Sequence, residues 1–380
     1  MKSGWQEKAL GEILQETETI NPLQSPSAEF EYVDVSSVSN VTFQVRETQR
    51  LKGAEAPSRA RRLIRANDVL FATVRPTLQR IAIVPGRLDN QVCSTGYFVL
   101  RPKNEVDHRF VFYFLFTNNF MKQMENLQKG ASYPAVTDGD MRAQIMPIPP
   151  LFEQRRIVET LDKAFDGIAT AKAHAEKNLQ NSNALLQSRL NAIFAKRGEG
   201  WVEKTLESCC EQIFAGGDVP KDRLSQERTL KYSVPIFSNG EKDNGLYGFT
   251  DVARVTKPSI TVSARGTLGF TVIRTEPFLP VVRLIVLVPD EKLIMLSFLY
   301  YAVVGMDFGN TGTSIPQLTV PNFKESKLSV PSLLEQKVIV EELDELREET
   351  KRLEYVYQQK SVALDELKRS ILKKAFEGDL

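Results

Sequence analysis

Apolar positions near the end of the chain step by alternating threes and fours through Leu343, Leu346, Thr350, Leu353, Tyr357, Lys360, Leu364, Leu367 and Ile371. This heptad stripe, with its polar interruptions, predicts one long amphipathic helix over 333–380. A weaker stripe, Leu161, Phe165, Ile168, Ala175, Leu179 and Leu186, predicts another over 151–199, with small Ala169, Ala171 and Ala173 beside it to allow close packing. Neither stretch has an internal proline, and each follows one (Pro150, Pro331), where the chain turns from extended to helical. At about 1.5 Å per residue each helix would be roughly 65 Å long. A lone helix of this kind leaves its stripe in water. The economical arrangement pairs the two antiparallel, with the preceding blocks at opposite ends and a pseudo-twofold axis across the pair. Pairing with helices of another chain is the alternative.

The intervening stretches, 1–150 and 200–332, have a different rhythm. Short alternating or apolar runs are broken by Gly, Pro, Asn and Asp, and predict strands at Phe30–Val35, Val69–Val74, Ile81–Val84 and Tyr97–Leu100, then at Ile260–Ser263, Phe270–Ile273 and Arg283–Val288. Each block also carries one predicted internal helix, Phe110–Lys129 and Leu293–Met306. The fold class is α+β: two α/β blocks, each with a twisted, mostly antiparallel sheet, joined by two long helices.

The two halves are copies. Leu151–Lys196 recurs without a gap as Leu333–Gly378, so that Glu153, Gln154, Ile157, Val158 and Asp162 are answered by Glu335, Gln336, Ile339, Val340 and Asp344. Gly4-Trp5 and Leu10 answer Gly200-Trp201 and Leu206, while Gly130, Ser132, Pro134 and Thr137 answer Gly312, Ser314, Pro316 and Thr319. The offset is 196 residues at the start of the block and 182 at its end. Two repeats this long are duplicated domains rather than a solenoid.

Composition narrows the class. Each block is long enough to bury its own core. Three cysteines, Cys93, Cys209 and Cys210, give neither a disulfide framework nor zinc spacing, which fits a reducing cytoplasm. The longest apolar runs, Phe110–Phe116 and Phe298–Val304, are too short to span a bilayer, as is Leu284–Val288, and residues 1–14 have no signal-peptide core, so neither membrane insertion nor secretion is expected. A net charge of +1 excludes a purely electrostatic grip on nucleic acid; any such surface must be local.

No catalytic constellation or metal site is legible. His108 and His174 are the only histidines and have no Cys or Glu spaced to complete a site, no Gly-rich loop ends in Lys and Ser or Thr, and Pro149-Pro150 lacks the flanking residues of a base-flipping methyltransferase tetrapeptide. What remains looks like binding surface. Arg46, Arg50, Lys52, Arg59, Arg61, Arg62 and Arg65 face only Glu47 and Glu55 between residues 46 and 65, with Pro57-Ser58 marking a loop. Arginine forks suit phosphates and guanine edges; a solvated charged loop is the plainer reading. In the second block Asn239, Arg265, Gly266 and Thr267 lie among glycines that let backbone approach a ligand, although hairpin turns look alike. Arg75 and Thr77 repeat the spacing of Arg265 and Thr267 in the first block.

Taken with Pro-Pro-Leu-Phe-Glu-Gln (149–154), Pro-Ser-Leu-Leu-Glu-Gln (331–336), Ala375-Phe376-Glu377-Gly378-Asp379-Leu380, Ala66-Asn67-Asp68-Val69-Leu70-Phe71 and Val262-Ser263-Ala264-Arg265-Gly266-Thr267, the whole chain resembles the specificity subunit of type I restriction-modification enzymes. The first helix departs from the closing pattern, with Phe194-Ala195-Lys196-Arg197-Gly198 leading into a linker. The resemblance implies target-recognition domains at 1–150 and 200–332, each reading half of a bipartite double-stranded DNA site, and conserved spacer helices at 151–199 and 333–380 that act as a ruler. It implies a non-catalytic chain without a cofactor of its own. Two methyltransferase subunits would bring S-adenosylmethionine, and a restriction/translocase subunit would bring ATP and magnesium. Divergence between the blocks implies an asymmetric target. The expected contacts are Arg46, Arg59, Arg61, Arg62, Arg75 and Thr77 for one half-site and Asn239, Arg265, Gly266 and Thr267 for the other, with Ser132, Tyr133, Thr313 and Ser314 as secondary candidates. A coiled-coil scaffold or adhesin with two binding heads, and the recognition part of a combined restriction-methyltransferase enzyme, are the alternatives.

Overall fold

The computed structural model describes residues 4–195, 200–306, 308 and 318–380. The chain divides into two compact units, Met1–Ala175 with Gln359–Leu380, and Glu176–Gln358. In chain order the first block contains β1 (Gln6–Ala9), α1 (Leu10–Ile13), β2 (Glu29–Val33), β3 (Gln49–Lys52), β4 (Ala60–Ile64), β5 (Val69–Ala72), β6 (Ile81–Ile83), β7 (Gln91–Ser94), β8 (Tyr97–Leu100), α2 (His108–Phe114), α3 (Asn118–Leu127), α4 (Asp138–Arg142) and β9 (Ile145–Ile148). The helix α5 (Leu151–Ala195) follows. The second block contains β10 (Val202–Thr205), α6 (Leu206–Cys209), β11 (Cys210–Ala215), β12 (Val234–Phe237), β13 (Leu246–Thr250), β14 (Ser259–Val262), β15 (Thr271–Arg274), β16 (Leu279–Pro280), β17 (Ile285–Pro289), α7 (Leu296–Val304), α8 (Val320–Lys324) and β18 (Lys327–Val330), and leads into α9 (Leu333–Glu377).

In the first unit the strands form the sheets β3-β2-β7-β4 and β6-β5-β8, plus the ribbon β1-β9. Pairing is antiparallel except between β2 and β7. The two-residue period of β5 and β8 sends Val69, Phe71, Phe98 and Leu100 toward α2, α3 and the long helices. Leu70, Ala72, Tyr97 and Val99 face the other way, into the core shared with Val33, Ile64 and Cys93. Burial on both faces explains why β5 reads as a continuous apolar run. The second unit repeats the plan with β11-β17-β14-β15, β13-β12-β16 and β10-β18; here β12 and β16 are the parallel pair. The duplication is visible in register: Gln6 pairs with Ile148, and Val202 with Val330, the positions related by the two sequence offsets.

The long helices pair inside the chain. In the first unit Leu161 and Phe165 of α5 pack with Ile371, Leu372, Ala375 and Phe376 of α9, and Lys172 Nζ lies 2.9 Å from Asp365 Oδ2. In the second, Leu186, Leu190 and Phe194 meet Ile339, Val340 and Leu343, with Arg189 paired to Glu342. In both units rising numbers on α5 meet falling numbers on α9, which is antiparallel packing. Thr350, a polar interruption of the seam, is buried and donates to Leu346 O at 2.8 Å. The stripe drifts near the end of α9. Leu367 is exposed, Lys360 is exposed, and Lys368 turns inward, 5.0 Å from the Phe165 ring centroid, where burial lowers its pKa.

Several predicted elements are shorter than expected. The first internal helix is two, because Thr117 adopts extended backbone and its hydroxyl caps the Phe120 N–H, starting α3 afresh. The second begins at Leu296, since the Met295 N–H is taken by Gln336 Oε1 at 2.8 Å. The strand predicted through Val74 ends at Ala72, ahead of left-handed Arg75 (φ 51°). The strand predicted from Arg283 starts at Ile285 because Val282 and Arg283 are also left-handed.

Buried glutamines fasten each block to its helix. Gln154 accepts from the Asp107 N–H at 2.8 Å and donates to Pro149 O at 2.8 Å and Glu105 O at 3.2 Å. Gln336 does the same with Met295 N–H, Pro331 O and Leu293 O at 2.8, 3.0 and 2.9 Å. A second tie repeats as well: Tyr113 donates to Asp162 and Tyr301 to Asp344, both at 2.5 Å. Truncating either glutamine orphans a backbone N–H and two carbonyls in the interior, so Gln336→Ala is expected to cost about 3 kcal/mol in urea unfolding. A loss under about 1 kcal/mol would show that water replaces the amide without penalty.

Candidate nucleic-acid interface

In the first unit, backbone hydrogen bonds gather separate turns into one rim. Thr73 N–H and Oγ1 donate to Gly96 O at 2.8 and 3.1 Å, Thr95 N–H to Arg59 O at 2.8 Å, and Arg75 N–H to Pro134 O at 2.7 Å. Arg59, Thr95, Arg75 and Thr77 are exposed along it. Arg75 holds a left-handed conformation (φ 51°, ψ 58°), and Pro76 sets the tight turn that follows. Its guanidinium lies 5.1 Å from the ring centroid of Tyr133, itself 71% exposed, and Nη2 is 3.4 Å from Ser132 O. The cation thus rests on an aromatic face while its edge stays available.

Other members of the arginine cluster are diverted. Arg62 lies in β4 rather than in a loop; its side chain is 18% exposed and grips both oxygens of Asp138 at 2.8 and 3.0 Å. Arg61, half-buried in the same strand, turns back to Ala60 O at 2.9 Å. Arg50 pairs with Glu29, and Arg65 with Glu18. Arg46 is exposed but belongs to a hairpin stacked against a helix end through Phe43 and Phe116, and its Nε donates to Thr42 Oγ1 at 3.3 Å. The cluster looks unbalanced in sequence because its carboxylates come from distant segments.

In the second unit the equivalent turn runs from Ser263 to Gly269. Arg265 and Gly266 are exposed, and Gly266 (φ 74°) has open space where a Cβ would project. Asn239 sits at this place in a role the sequence did not predict. Its Oδ1 accepts from Ala264 N–H at 2.8 Å and its Nδ2 donates to Val282 O at 2.7 Å, so the amide is engaged at both ends and positions backbone. Thr267 differs from exposed Thr77: its hydroxyl oxygen is buried and has no hydrogen-bond partner among the described residues. Thr313 and Ser314, with Gly312 and Pro316 of the repeat, lie outside the described residues.

One supporting residue escaped the sequence reading. Arg274 is buried, its guanidinium 3.5 Å from the Phe237 ring centroid, with Nη2 donating to Asn244 O at 2.5 Å. Burial pushes its pKa down to about 10, so it remains charged at neutral pH and braces the left-handed turn at Asp243-Asn244. Among the described residues no cluster of three or more His, Cys, Asp or Glu is arranged to hold a metal ion, and no helix is long and apolar enough to cross a membrane.

The sequence model of the Type I restriction modification DNA specificity domain matches this chain twice, over residues 2–180 and 198–359. The chain belongs to that family. Each match takes in one block and part of the helix after it. A putative type I specificity subunit of Mycoplasma pneumoniae, S.MpnORF507P, is 33% identical over 202 residues, 53% of this chain and 54% of the relative. The HindI specificity subunit of Haemophilus influenzae is 26% identical over 170 residues, 44% of this chain and 36% of that one. The chain thus matches about half or less of the length of these relatives. Solved structures align more fully. A chain from a study of complex assembly and conformational transition of the type I R-M system superposes with a TM-score of 0.92 at 29% identity, covering 100% of this chain and 99% of that one. The HsdS subunit of Thermoanaerobacter tengcongensis gives 0.71, also at 29% identity, covering 100% and 98%.

Loss of the Asn239 amide frees two turns at once. Asn239→Ala is expected to destabilise the second unit by about 2 kcal/mol and to speed amide exchange at residue 264. Unchanged exchange at that position would show that the turns hold without it.

Proposed function

We propose that this chain is the non-catalytic DNA-specificity subunit of a type I restriction-modification complex, reading an asymmetric bipartite target with one recognition block per half-site. The observation that carries this reading is the exposed arginine turn at the same station of each family match: Arg75 follows β5, and Arg265 follows β14. Arginine can fork onto the O6 and N7 of guanine in the major groove, and a turn anchored by backbone hydrogen bonds keeps that fork in register. Dissimilar neighbours, Pro76 and exposed Thr77 against Gly266 and a half-buried Thr267 whose hydroxyl oxygen points inward, suit two different half-sites. With little net charge on this chain, much of the phosphate grip falls to partners.

Those partners are two methyltransferase subunits, which bring S-adenosylmethionine, and a motor-nuclease subunit, which brings ATP and magnesium. Support for two copies of one partner comes from paired apolar exposure on the repeated helices. Phe152 and Leu334, equivalent in the duplication, are 74% and 77% exposed, and Leu185 and Leu367 are 50% and 48% exposed. Side chains kept in water at matching positions suit the same surface docking twice.

Co-expression with a methyltransferase subunit, followed by single-molecule sequencing of methylated adenines, should return a split asymmetric motif with a fixed spacer. A stable complex that yields no motif would favour the scaffold reading. Replacing residues 1–150 with another family member's first block should change one half-site only, and Arg75→Ala should relax a position within that same half. For docking, Leu334→Ser is expected to weaken one of two methyltransferase sites by about 2 kcal/mol, roughly thirtyfold. Two sites of unaltered affinity in titration calorimetry would place the contact elsewhere.

A further inference from the structure

The turn that enters β17 is strained where strain is easily avoided. Val282 and Arg283 are consecutive left-handed residues, with φ of 53° and 61°. Two positive φ values in succession are the geometry of an Asn-Gly turn, and a β-branched valine there is an outlier that costs on the order of 1–3 kcal/mol. Surrounding structure holds it in place. Val282 N–H donates to Gly217 O at 2.8 Å, Arg283 N–H to Gly216 O at 3.2 Å, and Asn239 Nδ2 to Val282 O at 2.7 Å. Gly216 is needed for this approach, since a Cβ on it would lie 2.6 Å from Val281 N.

The product of this arrangement is one exposed cation. Arg283 is exposed, and among the described residues its guanidinium makes no ion pair, side-chain hydrogen bond or ring contact. Its neighbour in space is fixed by a single side chain: the Asn239 amide that holds Val282 O also holds Ala264 N–H, next to Arg265. One asparagine therefore sets two adjacent turns, each followed at once by an exposed arginine.

The first unit has a counterpart at this station. Ala72 pairs with Tyr97, and Val262 with Ile285, so Thr95 and Arg283 each stand two residues before the paired position. Thr95 is also exposed, on the rim beside Arg59 and close to the Arg75 turn. Equivalent stations with unlike side chains are what two blocks reading different half-sites require.

We infer that Arg283 reads a guanine in the second half-site, as a specificity-determining residue presented by the strained Val282-Arg283 turn. The inference rests on the DNA-specificity reading above. A contact to phosphate is served by a mobile cation in many geometries and calls for no strained, triply anchored turn; a bidentate base contact needs a fixed fork.

The test uses the co-expressed complex with Arg283→Ala and Arg283→Lys. Because the side chain has no partner among the described residues, both variants should melt with the wild type. Sequencing of methylated adenines should show the first half-site unchanged and one guanine position of the second half-site degenerate in both variants, since lysine lacks the fork. Discrimination at that position should fall from about 10- to 100-fold to a few-fold. An unchanged motif in both variants overturns the inference. So does an even drop in methylation at every site for Arg283→Ala that Arg283→Lys restores, which is the signature of a phosphate contact. Failure of the wild-type complex to give any split motif would instead remove the recognition reading, and this inference with it.

Discussion

The side-chain amides of Gln154 and Gln336 carry the join on which the rest of the architecture depends. A long helix that starts directly after a strand must leave its first N–H groups and the preceding turn to be satisfied by something other than helix. Here a fully buried glutamine in the first turn ties that preceding turn to the block, taking one backbone N–H from the block and giving its own hydrogens to one carbonyl of the turn and one of the block. A polar group in an apolar core is costly when half satisfied and rigidifying when fully satisfied; these are the second kind. The Tyr113–Asp162 and Tyr301–Asp344 contacts lie two helical turns further along and fix the angle of approach. Each block is therefore oriented on its own helix by two repeated polar ties set within an apolar interface.

Given that anchoring, recognition can rest on few side chains. Half of the arginines between residues 46 and 65 serve the fold through ion pairs, Arg50, Arg62 and Arg65, and outside that cluster Arg101 is buried against Asp68 and Glu18. Among the exposed cations, Arg59 and Arg75 in one block and Arg265 and Arg283 in the other sit on turns tied by hydrogen bonds to neighbouring segments. This division separates stability from specificity. The apolar sheet faces, the glutamines and the internal ion pairs can persist while the turn residues differ between the blocks, which is how the duplicated halves keep one plan with dissimilar rims.

Local pattern made a large part of this legible. The heptad stripe, the prolines at its start and the ungapped repeat are properties of neighbouring residues, and they led to two long helices, to their pairing and to the duplication of the blocks; the equivalent β1-β9 and β10-β18 ladders came only from the structure. The exposed turns at Arg75 and Arg265 were legible too, because glycine and proline mark turns and the Arg-Thr spacing recurs. The register near Leu367 and Lys368 was not, since a stripe two residues wide drifts within a few turns and the packed neighbour decides which side chain turns in.

What the sequence determined by itself was the periodic content: element types, duplication, block order and family, all written in spacings of a few residues or in one constant offset. Only the tertiary structure decided which polar side chains are consumed and which are left over. Arg62 and Asp138 are 76 residues apart, Asn239 reaches Val282 across 43, and Gln336 reaches Met295 across 41. Pairings at such separations depend on how sheets and helices close around one another. A side chain's chemistry is the same in either context; whether it reads a ligand or holds a turn is set by the partner that folding brings to it.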